Sequence, residues 1–347
     1  MRKSIKNVLV NLIATAMMYA SSTLARDIYV SPKGNDHNDG LTPQTAQRTL
    51  DRVVSGNIQP GDRVLLEGNQ IFNGTLTPTC SGTEEAPITF TSYNGIAKII
   101  GSERAAAIYL NSNKNLKIDN LDLSAPTRMV VLISNKGDGC DKIKFSKTYI
   151  HNCKENGIEV TNPKDSNITL ENCTIENTGG SAVVCYNNGP ITLKGNHIRG
   201  NGIKPAIGLY GVQKAIVEDN EVSTAVAPKP IFLEMDRKPA FYIADGNTWR
   251  LPRTMYEGFV VNKIPMGLSA FKRLTGQHAN DNRPGAGTPT TLALPQNPSA
   301  PVQPTYQTPQ GLVDPRTQPG WNGMNKFVQW NVWSRYTNAL EQLKQRK

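Results

Sequence analysis

The sequence predicts an all-β solenoid of short strands, and two observations carry that expectation. Five stretches of alternating apolar residues recur at 116–123, 143–150, 168–175, 191–198 and 216–222, and their third-position apolar residues, Ile118, Phe145, Leu170, Leu193 and Val217, are spaced by 27, 25, 23 and 24 residues. A second strand-like segment precedes several of them, at 108–110, 158–160, 183–185 and 207–209. Alternation with a period of two is the mark of a half-buried strand, and helical spacing is absent throughout this part of the chain. A strand this short cannot bury its apolar face unaided. A unit that returns every ~25 residues therefore stacks coil upon coil, with room in each coil for three short strands and their turns.

The turns supply a second expectation. Asn120, Asn172, Asn196 and Asn220 stand at matching points of successive repeats, where a side-chain amide can bond the same position in the next coil and satisfy groups otherwise buried unpaired. Together, repeats and turn asparagines resemble the right-handed parallel β-helix of the pectate-lyase-like superfamily. The stretch Asp27-Ile28-Tyr29-Val30-Ser31-Pro32-Lys33-Gly34-Asn35-Asp36, continuing to Asp39-Gly40, is similar to that family's first strand. Residues 45–54 form an amphipathic helix pattern with Leu50, Val53 and Val54 on one face, and the resemblance implies that this helix caps the open N-terminal end. Pro60-Gly61-Asp62-Arg63-Val64-Leu65-Leu66 and 81–90 are similar to the family's entry into its first coils, and Gly246-Asn247-Thr248-Trp249 and 268–277 to its last ones. The expected fold is a right-handed parallel β-helix solenoid over 26–283, with a cap over about 26–68.

The flanks differ from the solenoid. Residues 1–25 carry Arg2, Lys3 and Lys6, then an apolar run at 8–19 and the small-residue ending Ser21-Ser22-Thr23-Leu24-Ala25. This is the layout of a cleavable signal peptide with the cut after Ala25. The run is shorter than the ~20 residues of a spanning helix, and Asn11 interrupts it. The expectation is a secreted or periplasmic protein with no membrane span after cleavage and no nucleic-acid partner. Export permits disulfides among Cys80, Cys140, Cys153, Cys173 and Cys185; an odd number leaves at least one thiol unpaired within the chain. Residues 284–320 hold nine of the 23 prolines and suggest an extended linker. Residues 321–347 place Phe327, Trp330, Trp333, Tyr336, Leu340 and Leu343 at mostly three- and four-residue spacing, the pattern of a short amphipathic C-terminal helix.

The 347 residues carry a formal net charge of +10, which on its own suggests a polyanionic partner. Its distribution is uneven. Residues 101–244 hold 17 basic against 15 acidic side chains, whereas 245–347 hold 12 against 5. The solenoid is thus nearly neutral and the excess lies toward the C-terminus.

Substrate in this superfamily lies along one parallel sheet, so the resemblance directs attention to the outward side chains of stacked coils. If Ile108, Ile158, Val183 and Ile207 point inward, the outward row is Tyr109, Glu159, Val184 and Gly208, and the next row is Asn111, Thr161, Tyr186 and Tyr210. Tyr186 and Tyr210 would then lie ~5 Å apart and could carry sugar rings by apolar contact. The resemblance implies a carbohydrate-active protein. One reading is a polysaccharide lyase that acts by β-elimination on an acidic, uronate-containing polysaccharide. The other is a non-catalytic glycan-binding or cell-envelope and exopolysaccharide assembly protein. Elimination needs a group that neutralises the carboxylate and a base that removes the adjacent proton. The candidates are Glu159, Lys136, His151 and Asp165 for catalysis, with Tyr186, Tyr210, Tyr109 and Lys154 for binding, and Ca²⁺ is the cofactor the family uses. The acidic cluster with paired Arg and Lys that calcium-dependent pectate lyases stack on this face is not evident in the sequence. No phosphate loop, zinc motif or nucleophile elbow is present.

Overall fold

The computed structural model describes residues 25–102, 106–134, 139–161, 166–186, 189–201, 203–224, 230–250, 257–282, 307–308 and 311–312. Every repeat stretch is broken near its middle, and that break builds the solenoid. Residues 116–123, for example, divide between the strands Lys114–Asp119 and Leu121–Ala125, with Asn120 between them at φ 51°. The same left-handed corner is made by Lys147, Asn172, Gly195, Asp219 and Gly246 in successive coils. Asn, Asp and Gly enter this conformation at least cost, which accounts for five of the six corners.

The strands before the corner form a nine-stranded parallel sheet, from Asp27–Val30 to Phe241–Asp245. Those after it form a second sheet of eight, from Ile71–Asn73 to Thr248–Arg250. A third sheet of eight contains Ile108–Leu110, Val131–Ile133, Ile158–Val160, Val183–Tyr186, Ile207–Tyr210, Leu233–Met235 and Phe259–Val261, and ends in the antiparallel strand Ile264–Met266. The apolar column expected in the first sheet is in register and buried: Ile118, Phe145, Leu170, Leu193 and Val217 are paired in sequence and fully inaccessible. Ile108, Val131, Ile158, Val183, Ile207, Leu233 and Phe259 form the matching column of the third sheet.

The asparagine ladder is present, but its members are shifted by one position from half of those expected. Asn120 and Asn172 are themselves left-handed corner residues. The residue after each corner turns inward, and there the ladder runs through Asn196, Asn220 and Asn247, all fully buried. Asn220 Oδ1 accepts from the backbone N–H and the side-chain amide of Asn196, at 3.0 and 2.9 Å. Asn247 Oδ1 accepts the same pair from Asn220, each at 3.0 Å. Each amide also donates back to a strand carbonyl, Leu170, Leu193 and Val217 respectively. Asp281 terminates the ladder, accepting from Asn247 N–H at 2.8 Å. Toward the N-terminus the inward position is filled by Cys173, Thr148 and Leu121 instead.

Both ends are closed. A helix, α1 (Leu50–Ser55), covers the N-terminal end with Leu50 and Val53 buried. It begins five residues later than the sequence pattern suggests. Gln47 bridges to Val30, and the Asp36 carboxylate accepts from the N–H groups of Arg48 and Thr49 at 2.8 and 2.9 Å, which holds 47–49 extended until Thr49 caps the helix. At the other end, residues expected to form a last coil make α2 (Leu268–Thr275), stopped by left-handed Gly276. Phe271 of α2 is fully buried and stacks on Phe259 at 4.5 Å. Beneath it, His278 Nδ1 lies 2.6 Å from Asp281 and its Nε2 lies 2.9 Å from the Tyr242 hydroxyl.

All five cysteines are free, so the disulfides that export would permit are not formed. Burial pushes the Cys173 and Cys185 thiols up to about 12, which leaves them inert apolar fillers at neutral pH. The chain divides into the units Met1–Pro295 and Gln296–Lys347. In the second, Gln307–Thr308 and Gly311–Leu312 pair antiparallel. The remainder of the expected linker and C-terminal helix, and residues 1–24 of the expected signal, lie outside the described residues. No helix among the described residues is long and apolar enough to cross a membrane.

The ladder and the corners predict different mutational costs. Asn220→Ala leaves the buried Asn196 N–H without its acceptor and removes one bond each from the Asn196 amide and the Leu193 carbonyl, and should cost on the order of 3 kcal/mol. Asn172→Gly keeps the left-handed corner and should stay within ~0.5 kcal/mol of the parent. Denaturant unfolding of the two variants measures the contrast.

Candidate functional site

Alternation along the third sheet sets the candidate face. The register pairs Tyr109 with Leu132, Leu132 with Glu159, Glu159 with Val184, Val184 with Gly208, and Gly208 with Glu234. The outward row is therefore longer than the sequence reading: Leu132 fills the gap between Tyr109 and Glu159, and Glu234 extends the row beyond Gly208. One step along the strands, Tyr186 pairs with Tyr210, and their rings stack at a centroid distance of 5.4 Å and an interplanar angle of 18°.

The stack depends on a missing side chain. A Cβ on Gly208 would stand 2.8 Å from the Tyr210 ring and 3.3 Å from its hydroxyl oxygen, so Tyr210 lies back over bare backbone in the outward row. There it lies near Glu234, whose charge acts on the phenol. Burial and then the Glu234 charge push the Tyr210 phenol well above its usual range, and burial followed by nearby Glu159 raises that of Tyr186. Both rings remain neutral phenols at physiological pH. Tyr186, at 40% exposure, is the upper ring of the pair.

Glu159 is fixed from the side. The Asn156 amide donates to Glu159 Oε2 at 2.8 Å, while Asn156 Oδ1 accepts from Ser181 N–H of the next coil at 2.8 Å. Asn156, Ser181, Val184, Tyr186, Lys204, Pro205 and Tyr210 line a shallow cleft of about 280 Å³. Asp236 lies two residues beyond Glu234 and accepts from the N–H groups of Gly211 and Arg237, each at 2.9 Å. Glu159 and Glu234 stand three coil spacings apart, ~14 Å along the sheet, and Glu159 is held by Asn156. Paired carboxylates that cleave a glycosidic bond sit ~5–9.5 Å apart, so these two are too far apart to act together on one such bond.

The other candidates divide between separate places. Tyr109 is on the same row as Glu159, two coils away. Lys154 is exposed in the turn that precedes the Glu159 strand. Lys136 and Asp165 lie outside the described residues. His151 is not beside Glu159. It belongs to the strand Tyr149–Cys153 of the second sheet, where Nε2 lies 2.7 Å from Asp122 Oδ1 and both side chains are nearly inaccessible. The imidazole stacks on Tyr149 at 4.0 Å, the Tyr149 hydroxyl donates to Glu176 at 2.7 Å, and Lys98 lies 3.8 Å from Asp122. This network ties four coils of the second sheet together. Among the described residues no three His, Cys, Asp or Glu side chains converge to hold a metal ion.

Glu234, Asp236 and Asn156 were not identified from the sequence. The signal for Glu234 was present, because Leu233 follows Ile207 by 26 residues and Leu233-Glu234-Met235 keeps the alternation. Asn156 carries no periodic signal, since it sits in a turn.

Residues 98–251 match the family model described as "Right handed beta helix region". No curated protein matches the chain. Among solved structures, the GH136 lacto-N-biosidase from Eubacterium ramulus is 19% identical over 68% of this chain and 57% of its own, with a TM-score of 0.51. Pectate lyase Pel9A is 15% identical over 70% and 58%, with a TM-score of 0.40. An alginate lyase from Paenibacillus sp. str. FPU-7 is 14% identical over 61% and 89%, with a TM-score of 0.41. The chain thus spans little more than half the length of the lacto-N-biosidase and the pectate lyase. What is shared at these identities is the architecture: this chain is a right-handed parallel β-helix protein.

Proposed function

We propose that the protein binds a glycan along its third sheet, with Tyr186 and Tyr210 as the platform for a sugar ring and Glu159 and Glu234 as hydrogen-bond acceptors for its hydroxyls. The observation that carries this reading is the stacked tyrosine pair beside the cleft, with one ring packed over Gly208 and the other open to solvent. Neutral aromatic faces suit the C–H face of a sugar, and carboxylates on either side suit its hydroxyls. The lacto-N-biosidase named above shares the fold, and the weight of the proposal rests on the tyrosines rather than on that likeness.

The charge around the platform narrows the ligand. Glu159, Glu234 and Asp236 are carboxylates, and Lys204 is the cation lining the cleft. A uronate on every sugar would face like charge here, so the face favours a neutral glycan over an acidic one. The raised phenols of Tyr186 and Tyr210 also make poor bases for proton abstraction at neutral pH. Lyase chemistry on an acidic polymer is therefore the competing outcome of the test. Export as a secreted or periplasmic protein is part of the same proposal, and rests on the sequence of residues 1–25.

The test is retention on a panel of neutral and acidic polysaccharides, with unsaturated-uronate absorbance followed in the same samples. Retention on a neutral glycan without new absorbance is expected. Absorbance on pectate or alginate would replace the binding reading with the lyase. Substituting both tyrosines, Y186A/Y210A, should weaken binding at least tenfold; undiminished retention would remove the platform.

A second prediction isolates the geometry. Gly208→Ala forces the Tyr210 ring, a movable side chain, off its seat. Affinity should fall several-fold while the melting temperature stays within ~2 °C of the parent. Calorimetric titration with the retained glycan and thermal unfolding measure the two quantities.

A further inference from the structure

The cleavage point expected from the sequence coincides with the first residue that the fold holds. Ala25 is exposed, and the first strand starts at Asp27. Between them, Arg26 is bound to Asp62 through three atoms. Its backbone N lies 2.9 Å and its Nε 3.3 Å from Asp62 Oδ1, and its Nη2 lies 2.5 Å from Oδ2. The Gln59 N–H donates to Oδ2 at 2.8 Å. The Asp62 side chain is 1% exposed. Burial by itself would raise the Asp62 carboxyl, but the Arg26 side chain and the N–H groups of Gln59 and Arg26 outweigh it and hold the group below its usual range. The nitrogen that would become an α-amine on cleavage thus already rests against a buried, ionised carboxylate.

We propose that the Ala25–Arg26 bond is a processing site whose cleavage completes an ionic lock between the new α-ammonium of Arg26 and Asp62. This rests on the export reading. The step is hydrolysis by the peptidase of an export system: the C–N bond breaks, water oxygen joins the Ala25 carbonyl to give a carboxylate, and the Arg26 nitrogen takes up the protons to become –NH₃⁺. Before cleavage that nitrogen offers Asp62 a neutral amide donor. Afterwards it offers a charged one, and charge-assisted hydrogen bonds are roughly twice as strong. The lock joins the start of the first strand to the turn that launches the second, Arg63–Glu67, and Arg63 N–H donates to the Arg26 carbonyl at 2.8 Å. It therefore tightens the N-terminal end of the solenoid only once the leader is gone.

The sign with pH follows. An ammonium paired in the folded state has its pKa raised above the ~8 of a free α-amine. Its contribution is fully present below about pH 8 and is lost as pH rises through the folded-state value.

The test compares residues 26–347 with a free Arg26 amine, released from a fusion by a protease that leaves no extra residue, with the same chain acetylated at that nitrogen. The free-amine form should melt ~2–4 °C higher at pH 7, and the gap should close at a pH well above that of the free amine. Asp62→Asn should abolish the gap, and Asp27→Asn, which alters the neighbouring pair with Arg63, should preserve it. Equal melting temperatures of the free and acetylated forms at pH 7 would overturn the lock, even if Asp62→Asn does not fold. Mass analysis of the exported protein is expected to give Arg26 as the first residue; any other N-terminus would overturn the processing site while leaving the melting comparison to stand by itself.

Discussion

Where the first sheet gives way to the second, the backbone turns within a single residue, and the next residue points into the buried interior. Everything else in the solenoid follows from satisfying that corner. A left-handed residue makes the turn at Asn120, Lys147, Asn172, Gly195, Asp219 and Gly246. The residue behind it must then either be apolar or bring its own hydrogen-bond partners into the core, as Asn196, Asn220 and Asn247 do. An amide bonded both to the coil above and to a strand carbonyl fixes the axial position of each coil. That fixed position is inherited by the third sheet, where it sets Tyr186 opposite Tyr210 rather than one residue aside.

The parts of this molecule that alternate were legible from the sequence, and the parts that turn were not. Ile118, Phe145, Leu170, Leu193 and Val217 sit in one buried column because strand period and coil period agree over four steps. Tyr109, Glu159, Val184, Gly208, Tyr186 and Tyr210 fall where alternation puts them for the same reason. His151 falls on a different sheet from Glu159 because a left-handed Lys147 starts a new strand there, and Lys is not a residue whose presence advertises that conformation. The ladder was offset by one because Asn serves equally as a corner residue and as a rung. Only the three-dimensional turn distinguishes Asn172 from Asn220. Glu234 was missed for a different reason: its strand is three residues long, too short to announce itself without the register of its neighbours.

Buried carboxylates close both ends of the stack, and they do so with different chemistry. At the N-terminal end Asp62 meets the guanidinium and backbone of Arg26. At the C-terminal end Asp281 ends the amide ladder and binds His278 and the Trp249 indole. Inside the repeat, amides satisfy amides at no cost in charge. At its termini the series runs out of identical partners, and a stronger acceptor is needed for the last free donors. The face between these ends keeps its polarity modest, with Glu159 held by Asn156 and Asp236 by backbone N–H groups.

The antiparallel strand Ile264–Met266 gives the third sheet a property beyond closure. A parallel β-helix is built by adding one coil after another in a single direction, and its last coil presents the same unpaired edge as every coil before it. A second molecule could in principle continue from there, end to end, into a fibre. Here the final strand runs opposite to the seven parallel strands of its sheet, and its middle residue is Pro265, which has no N–H to offer a newcomer. Reversal and proline together make the edge a poor template for another parallel coil. On the third sheet, the length of the solenoid is thereby written into the chain as a stop signal against polymerisation.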